Sequence, residues 1–168
     1  LKVLGIAHKT EAQAVYLGIQ SAAELTTAAS NLFRRGDRLY LERMVESVIA
    51  ELFVGIIHDP QFGLLLTLGS GGILVEILRD SRTLLLPVSR KEVEQALTSL
   101  KSAPLIQGYR GRPEADLASA VDAVMAIQQY AISEQNRLVE LDINPLLLCA
   151  KGEGVYAADA LIVLQQEE

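Results

Sequence analysis

Apolar and polar residues alternate most regularly over positions 139–144, where every second side chain is apolar. A period of two predicts a strand with one face toward the core and the other toward solvent. Pro145 has no N–H to donate, so we expect it to end this ladder. A second apolar strand is predicted over 146–149. The turn sequence at 151–154 then predicts a return strand over 155–159.

Periodicity and turn residues divide the rest of the chain into short strands and helices. Ser21 and Ser89 each stand three positions before a glutamate, which is the pattern of a capping box and predicts a helix start. The predicted helices are 21–33, 89–101 and 113–135, the last with Leu117, Val121, Val124 and Gln128 near one face, and 103–112 is predicted to be irregular. The other predicted strands are 2–6 and 14–19, paired as a hairpin, and 39–44, 48–57, 64–68, 73–78 and 83–86.

The order of these elements indicates an α+β protein with two layers and two lobes. A hairpin, a helix and a strand come first, and hairpin-linked strands with two helices follow. We place a small lobe at 1–45 and a larger lobe at 46–168, with the boundary near 43–47.

Composition narrows the class of protein. Half of the 168 residues are apolar, but no apolar run approaches the ~20 residues of a membrane helix. The net charge is −6, which argues against nucleic-acid binding through a general basic field. One cysteine, Cys149, excludes a disulfide framework and is interpreted as a buried thiol. With no signal or transit sequence, a cytoplasmic location is expected. Leu1 begins a strand already under way, so we expect a piece of a longer chain.

Oxygen-bearing side chains on the two C-terminal strands suggest a metal site. Asp142 and Asn144 lie on the polar face of the alternating strand, and Asp159 follows fifteen positions after Asn144. Carboxylate and amide oxygens from neighbouring strands suit a hard cation such as Mg²⁺, which usually also needs phosphate oxygens. An ordinary solvated strand face has the same composition, because Asp and Asn are common at strand ends. Spacing alone leaves both interpretations open.

Several short motifs, taken in order, carry a family resemblance over about residues 1 to 164. They are Lys2-Val3, HKTE at 8–11, LERMV at 41–45, ELFVG at 51–55, DPQFG at 59–63, LGSGGILVE at 68–76, GYRG at 108–111, ELDINP at 140–145 and Asp159-Ala160. The chain resembles the ATP-grasp domain of NDP-forming acyl-CoA synthetases, which are ADP-forming acetate–CoA ligases and are similar to the succinyl-CoA synthetase β subunit. The resemblance implies an ATP-grasp-like fold with a small lid lobe and a larger mixed-sheet lobe whose strands bear the metal.

The resemblance also implies a nucleotide site. Lys2 matches a lysine that reaches the nucleotide phosphates, although a solvated lysine near a chain end is the plain alternative. Glu42 to Val45 matches the hinge, whose backbone meets the adenine edge without needing a particular side chain. Glu51 matches a carboxylate that accepts hydrogen bonds from the ribose hydroxyls. The alternative interpretation is a charged residue on a solvent-exposed strand face.

By the same resemblance, Asn144 and Asp159 are the Mg²⁺ ligands, with Asp142 and Glu76 as weaker candidates. The metal would bridge phosphate oxygens of ATP or ADP. His8 matches a histidine that carries phosphate between the nucleotide site and a distant thioester site, a role that suits the imidazole because a useful fraction is unprotonated near neutral pH.

One departure from the family concerns the residues just before Val15. The family often has two small residues there, and this chain has Gln13 and Ala14. Glycine takes positive φ and lets the backbone approach phosphates, so Gln13 is expected to crowd this loop or change its turn.

The resemblance therefore implies the nucleotide- and Mg²⁺-binding segment of an enzyme that interconverts acyl-CoA, ADP and phosphate with acid, CoA and ATP. The CoA-binding and ligase domains would be in the same or a partner chain, so the segment alone is expected to be inactive. No nucleic-acid or membrane partner is expected, and a homo-oligomer is left open. The alternatives are a regulatory ATP-grasp-like domain of a protein acetyltransferase, which Gln13 favours, and a structural module without metal dependence.

Overall fold

A computed structural model describes residues 1–5, 13–71 and 80–165. The chain divides into two compact units, Leu1–Val45 and Glu46–Glu168. The assignment of the first unit as a lid and of the second as the metal-bearing part remains a prediction.

The smaller unit has a short strand at its centre. Strand β1 (Lys2–Val3) pairs antiparallel with β2 (Leu39–Tyr40). On its other side, the amide of Val3 donates to the carbonyl of Ala14 at 3.0 Å. Of the hairpin predicted between 2–6 and 14–19, the described residues keep only a bridge between Lys2 and Val15, and no strand forms over 14–19. Residues 6–12 lie outside the described residues. The predicted strand over 39–44 is wrong in length, because only its first two residues pair.

Helix α1 (Ala22–Leu32) closes the small core, where Val3, Ala14 and Leu32 are fully buried. Ser21 caps it as predicted, accepting from the amide of Glu24 at 3.2 Å. The return bond of the predicted capping box differs, because the Glu24 carboxylate accepts from the amide of Gln20, one residue before the cap, at 2.9 Å.

The described residues of the larger unit form a six-stranded sheet in which all recorded pairings are antiparallel. Its strands are β3 (Ala50–Asp59), β4 (Gly63–Ser70), β5 (Ser81–Leu85), β6 (Leu138–Leu148), β7 (Val155–Ala157) and β8 (Ala160–Leu164). The order is β5-β4-β3-β6-β7, and β8 also pairs with β6. The helices are α2 (Arg90–Thr98), α3 (Ala103–Ile106) and α4 (Leu117–Ser133). The α+β prediction is confirmed.

Helices α2 and α4 cover one face of this sheet. Leu52, Val54 and Ile56 of β3 point into the resulting core and are almost completely buried. Val121, Val124 and Gln128 of α4 are buried against it, as the helical spacing predicted, whereas Leu117 is half-buried. None of the described helices is long and apolar enough to span a bilayer.

Ser89 forms the complete capping box that its sequence predicts. Its hydroxyl accepts from the Glu92 amide, and the Glu92 carboxylate accepts from the Ser89 amide at 2.7 Å. Other predicted bounds differ from the structure. The last helix begins at Leu117 rather than at 113, because Asp116 caps it, and 103–106 is helical rather than irregular. The strand predicted over 73–78 lies outside the described residues.

The prediction that Pro145 ends its strand is wrong, because β6 continues through it to Leu148. On the β3 side, Leu146 pairs with Leu52 but Ile143 pairs with Val54. Two residues of β6, Asn144 and Pro145, therefore stand opposite one residue of β3, which is a β-bulge. The bulge accommodates Pro145, which cannot donate to the ladder.

Candidate functional site

Asn144 and Asp159, the predicted metal ligands, lie directly opposite each other. Ile143 pairs with Ala160 on one side of them, and Leu146 pairs with Ala157 on the other. Between these pairs, the amide of Asn144 donates to the carbonyl of Asp159 at 3.3 Å. Directly opposed residues of antiparallel strands have Cβ atoms ~5 Å apart on the same face. The register therefore places the two residues opposite each other, as a shared metal ion would require.

This pair lies on the sheet face that α2 and α4 leave uncovered. Leu141 and Ile143 point into the core, so the alternate residues Asp142 and Asn144 point the other way. Asn144 is exposed, and Asp142 and Asp159 are half-buried. The weaker candidate Asp142 is thus on the same face as the main pair.

Glu51 lies on the uncovered face as well, because it alternates along β3 with the buried Leu52. Its side chain is exposed, and its carbonyl accepts from the amide of Gly71 at 2.7 Å. A Cβ at Gly71 would lie 2.8 Å from the carbonyl carbon of Glu51 and 2.7 Å from that of Leu52. Only glycine therefore lets the backbone at position 71 approach β3 so closely.

The donor set on this face suits a particular kind of metal binding. Among the described residues, no group of three or more His, Cys, Asp or Glu side chains is placed to hold an ion. One amide and one carboxylate do not make a complete cage for a bare cation. They do fit Mg²⁺, which is usually held by one or two protein ligands together with water and substrate phosphates.

Lys2 and Glu42, the predicted nucleotide-binding residues of the smaller unit, contact each other. The Lys2 ammonium lies 2.9 Å from a carboxylate oxygen of Glu42 and 5.5 Å from the centre of the Tyr40 ring. The Lys2 side chain is only 11% exposed, which does not fit a solvated lysine at a frayed end. Val45 is half-buried and is the last residue of this unit.

The two histidines fall in different parts of the chain. His8 lies outside the described residues, as does Glu76, so their predicted roles stay predictions. His58, interpreted as incidental, is exposed on β3. Gln13, the departure from the family pattern, has φ of +51°, and its side-chain oxygen accepts from Arg35 at 3.1 Å. The backbone there takes the left-handed conformation that glycine would favour.

Sequence reasoning missed two buried carboxylates that hold the loops around the sheet. Asp116 caps α4 by accepting from the amide of Ser119, and also accepts from the amides of Gly152 and Gly154 in the turn before β7. The Ser119 amide, with those of the turn, keeps the pKa of Asp116 below its usual value although burial opposes this. Asp is a favoured N-cap residue, so the sequence could have identified Asp116 as the cap. The predicted start at residue 113 instead placed Asp116 inside the helix.

Asp80 is the second of these carboxylates, and no sequence signal marks it. It accepts from the amides of Lys101 and Ser102 and from the hydroxyl of Ser70 at 2.9 Å. Burial alone would raise the pKa of Asp80, but these hydrogen bonds together lower it. Burial also raises the pKa of the Cys149 thiol, which is buried as predicted.

Comparison with known proteins gives the family. The model of the ATP-grasp domain matches residues 1–164. The chain belongs to the ATP-grasp domain family. It is 30% identical to the β subunit of acetate–CoA ligase [ADP-forming] II of Pyrococcus furiosus, covering 95% of this chain and 71% of the subunit. It is also 30% identical to 4-hydroxybutyrate–CoA ligase [ADP-forming] of Nitrosopumilus maritimus, covering 95% of this chain and 24% of the relative.

Two solved structures are similar to this chain in fold. A Pyrococcus horikoshii protein superimposes with a TM-score of 0.83 at 29% identity, covering 95% of this chain and 71% of the other. A dinucleotide-forming acetyl-coenzyme A synthetase of Ca. Korarchaeum cryptofilum has a TM-score of 0.80 at 26% identity, covering 98% and 75%. That enzyme was crystallised with coenzyme A and Mg-AMPPCP, with a phosphohistidine segment pointing towards the nucleotide site.

Proposed function

We propose that this chain is the nucleotide- and Mg²⁺-binding segment of an ADP-forming acyl-CoA synthetase. The observation that carries the proposal is the opposition of Asn144 and Asp159 on the uncovered sheet face, in an ATP-grasp chain that spans most of a related ligase β subunit. The complete enzyme would convert acyl-CoA, ADP and phosphate to acid, CoA and ATP. Residues 1–45 would be the lid and residues 46–168 the main nucleotide and metal subdomain.

The proposal gives a nucleotide-binding role to individual residues of each unit. The Lys2 ammonium would offset phosphate charge, the backbone of Glu42 to Val45 would bind the adenine edge, and Glu51 would accept from the ribose hydroxyls. Asn144 and Asp159 would hold Mg²⁺. When bound, the metal would neutralise charge on the phosphate oxygens during in-line transfer.

His8 would carry the phosphoryl group between two distant sites. At the thioester site, inorganic phosphate attacks the acyl carbonyl and CoA leaves as the thiol, which gives an acyl phosphate. An imidazole nitrogen of His8 then attacks phosphorus, a P–N bond forms, and the acid leaves as carboxylate. At the nucleotide site, a terminal oxygen of ADP attacks the same phosphorus, the P–N bond breaks, and ATP is released. The phosphohistidine segment in the Korarchaeum enzyme supports this route.

The proposal requires further domains. CoA-binding and ligase domains, in the same or a partner chain, would supply the thioester chemistry in the cytoplasm. The 168-residue chain alone should therefore form no ATP from acyl-CoA, ADP and phosphate. A regulatory ATP-grasp-like domain of a protein acetyltransferase is the second candidate, favoured by Gln13, whose long side chain stands where the family often has a small residue.

Phosphate labelling of the full-length protein tests the proposal. Incubation with γ-labelled ATP and Mg²⁺ should give acid-labile phosphate on His8. His8→Asn should remove the label and block synthesis, while His58→Asn, which changes the chain's other histidine, should leave both intact. Asp159→Asn should also prevent labelling because it removes a metal-binding charge, whereas Glu94→Gln on α2 should not.

Two results would contradict parts of this proposal. Equal labelling and turnover in the His8→Asn variant would show that phosphate never rests on His8. Tight nucleotide binding without any labelling or turnover in the wild-type protein would favour the regulatory candidate.

A further inference from the structure

The position of the Lys2 side chain is fixed from several directions within the smaller unit. Lys2 pairs with Tyr40 across β1 and β2, and it also bridges to Val15 on the other side. Its backbone is therefore fixed by both neighbouring segments. The ammonium at the tip of the Lys2 side chain contacts the Glu42 carboxylate at 2.9 Å and lies near the Tyr40 ring.

Stability is a poor explanation for this contact. The Glu42 side chain is 39% exposed, and ion pairs with such an exposed member contribute little to folding. The contact does restrict motion, because lysine has a long flexible side chain that otherwise samples many rotamers. The Glu42 carboxylate and the Tyr40 ring together hold the ammonium in one place, since cations are attracted to carboxylates and to the faces of aromatic rings.

We propose that the Glu42 side chain positions the Lys2 ammonium for the phosphates of the nucleotide. This inference rests on the proposed function and adds to it, because the hinge assignment uses only the backbone of Glu42. An ammonium has three N–H groups, and one of them is enough for Glu42. The carboxylate can therefore orient the lysine through a single N–H group.

The sign of the effect separates positioning from simple charge. Glu42 is negative, so if only charge mattered, its removal would strengthen the binding of an anionic nucleotide. If Glu42 positions Lys2, its removal weakens that binding. The rotamer freedom that lysine would regain sets the scale at about ten- to thirtyfold in affinity.

The experiment measures the affinities of Mg-ADP and of adenosine for the full-length protein by titration calorimetry. Glu42→Ala should weaken Mg-ADP binding about tenfold and leave adenosine binding unchanged, because adenosine has no phosphate for Lys2 to meet. Glu42→Gln keeps an oxygen that can accept from Lys2 and should retain most of the affinity. The matched control Asp37→Ala removes an exposed carboxylate of the same unit and should have no effect.

A double-mutant cycle with Lys2→Met completes the test. In the Lys2→Met background, Glu42→Ala should cause no further loss, because a positioning residue acts only through the group it positions. The inference is wrong if Glu42→Ala binds Mg-ADP as well as or better than wild type, or if its effect persists without Lys2. If wild type itself binds Mg-ADP no better than adenosine, the proposed nucleotide site fails instead.

Discussion

Replacing Asp116 with alanine should destabilise the larger unit more than any surface substitution. The carboxylate is 6% exposed and accepts three backbone hydrogen bonds. One oxygen accepts from Ser119 at 3.1 Å and so caps α4. The other accepts from Gly152 at 2.9 Å and Gly154 at 3.1 Å, which fixes the turn leading to β7 and onward to Asp159.

The size of the effect follows from these three bonds. Loss of a helix N-cap costs about 1 kcal/mol. Hydrogen bonds to a charged group contribute about 1.5–3 kcal/mol each, and the two turn amides would lose theirs, although water entering the space left by Asp116 offsets part of that loss. We therefore expect a decrease of about 3–5 kcal/mol in the free energy of unfolding, a large share of the 5–15 kcal/mol typical of a domain.

Urea unfolding at pH 7, followed by circular dichroism, measures this change. The control Asp122→Asn removes the same charge from α4, where Asp122 forms an exposed ion pair with Arg90 of α2, and should cost less than about 1 kcal/mol. A loss below 1 kcal/mol in Asp116→Ala would refute the argument, because it would mean that the turn amides find equivalent partners without the carboxylate.

The pH dependence gives an independent check with a defined sign. Because the folded-state pKa of Asp116 is lowered, its carboxylate stabilises the fold above the unfolded-state value of about 3.9. This contribution is lost as the pH falls through the folded-state pKa. The stability difference between wild type and Asp116→Asn should therefore be complete at pH 7 and shrink below about pH 4.

Two further substitutions test local features of the two units. The buried Gln128 accepts from the Val88 amide at 2.6 Å and donates to its carbonyl, so Gln128→Leu should cost about 2–4 kcal/mol in urea unfolding while the exposed neighbour Gln129→Leu costs almost nothing. An equal loss in both variants would contradict this role. Because a left-handed residue other than glycine is strained by about 1–2 kcal/mol, Gln13→Gly should stabilise the smaller unit slightly and Gln13→Val should destabilise it. If thermal unfolding showed Gln13→Val to be more stable than Gln13→Gly, the left-handed conformation of residue 13 would be contradicted.

The features that sequence predicted well depend on a few neighbouring residues. Ser21 and Ser89 start helices because a hydroxyl reaches an amide three positions later. Asp59 similarly accepts from the amides of Gln61 and Phe62, which produces the tight turn between β3 and β4 that its sequence indicated. Each pattern is complete within one turn of chain, so no knowledge of the tertiary fold was needed.

The features that were missed depend on partners far along the chain. Asp80 binds backbone amides more than twenty positions away, and Asp116 binds the turn at 152–154. Neither partner can be identified from local periodicity. The proposed nucleotide-binding residues were predicted only in part. The family resemblance named Lys2 and Glu42, but it did not predict the contact between them.

Pro145 shows how one irregular position lets a strand serve both the core and the candidate site. Strict alternation from Ile143 would direct Asn144 outward, the next residue inward and Leu146 outward. In the structure, two residues rather than one separate the core positions Ile143 and Leu146, which are 8% and 2% exposed. The bulge thus keeps Asn144 on the uncovered face beside Asp159 and still returns Leu146 to the core. An alternating pattern that contains a proline can therefore indicate a bulge beside a site rather than a strand end.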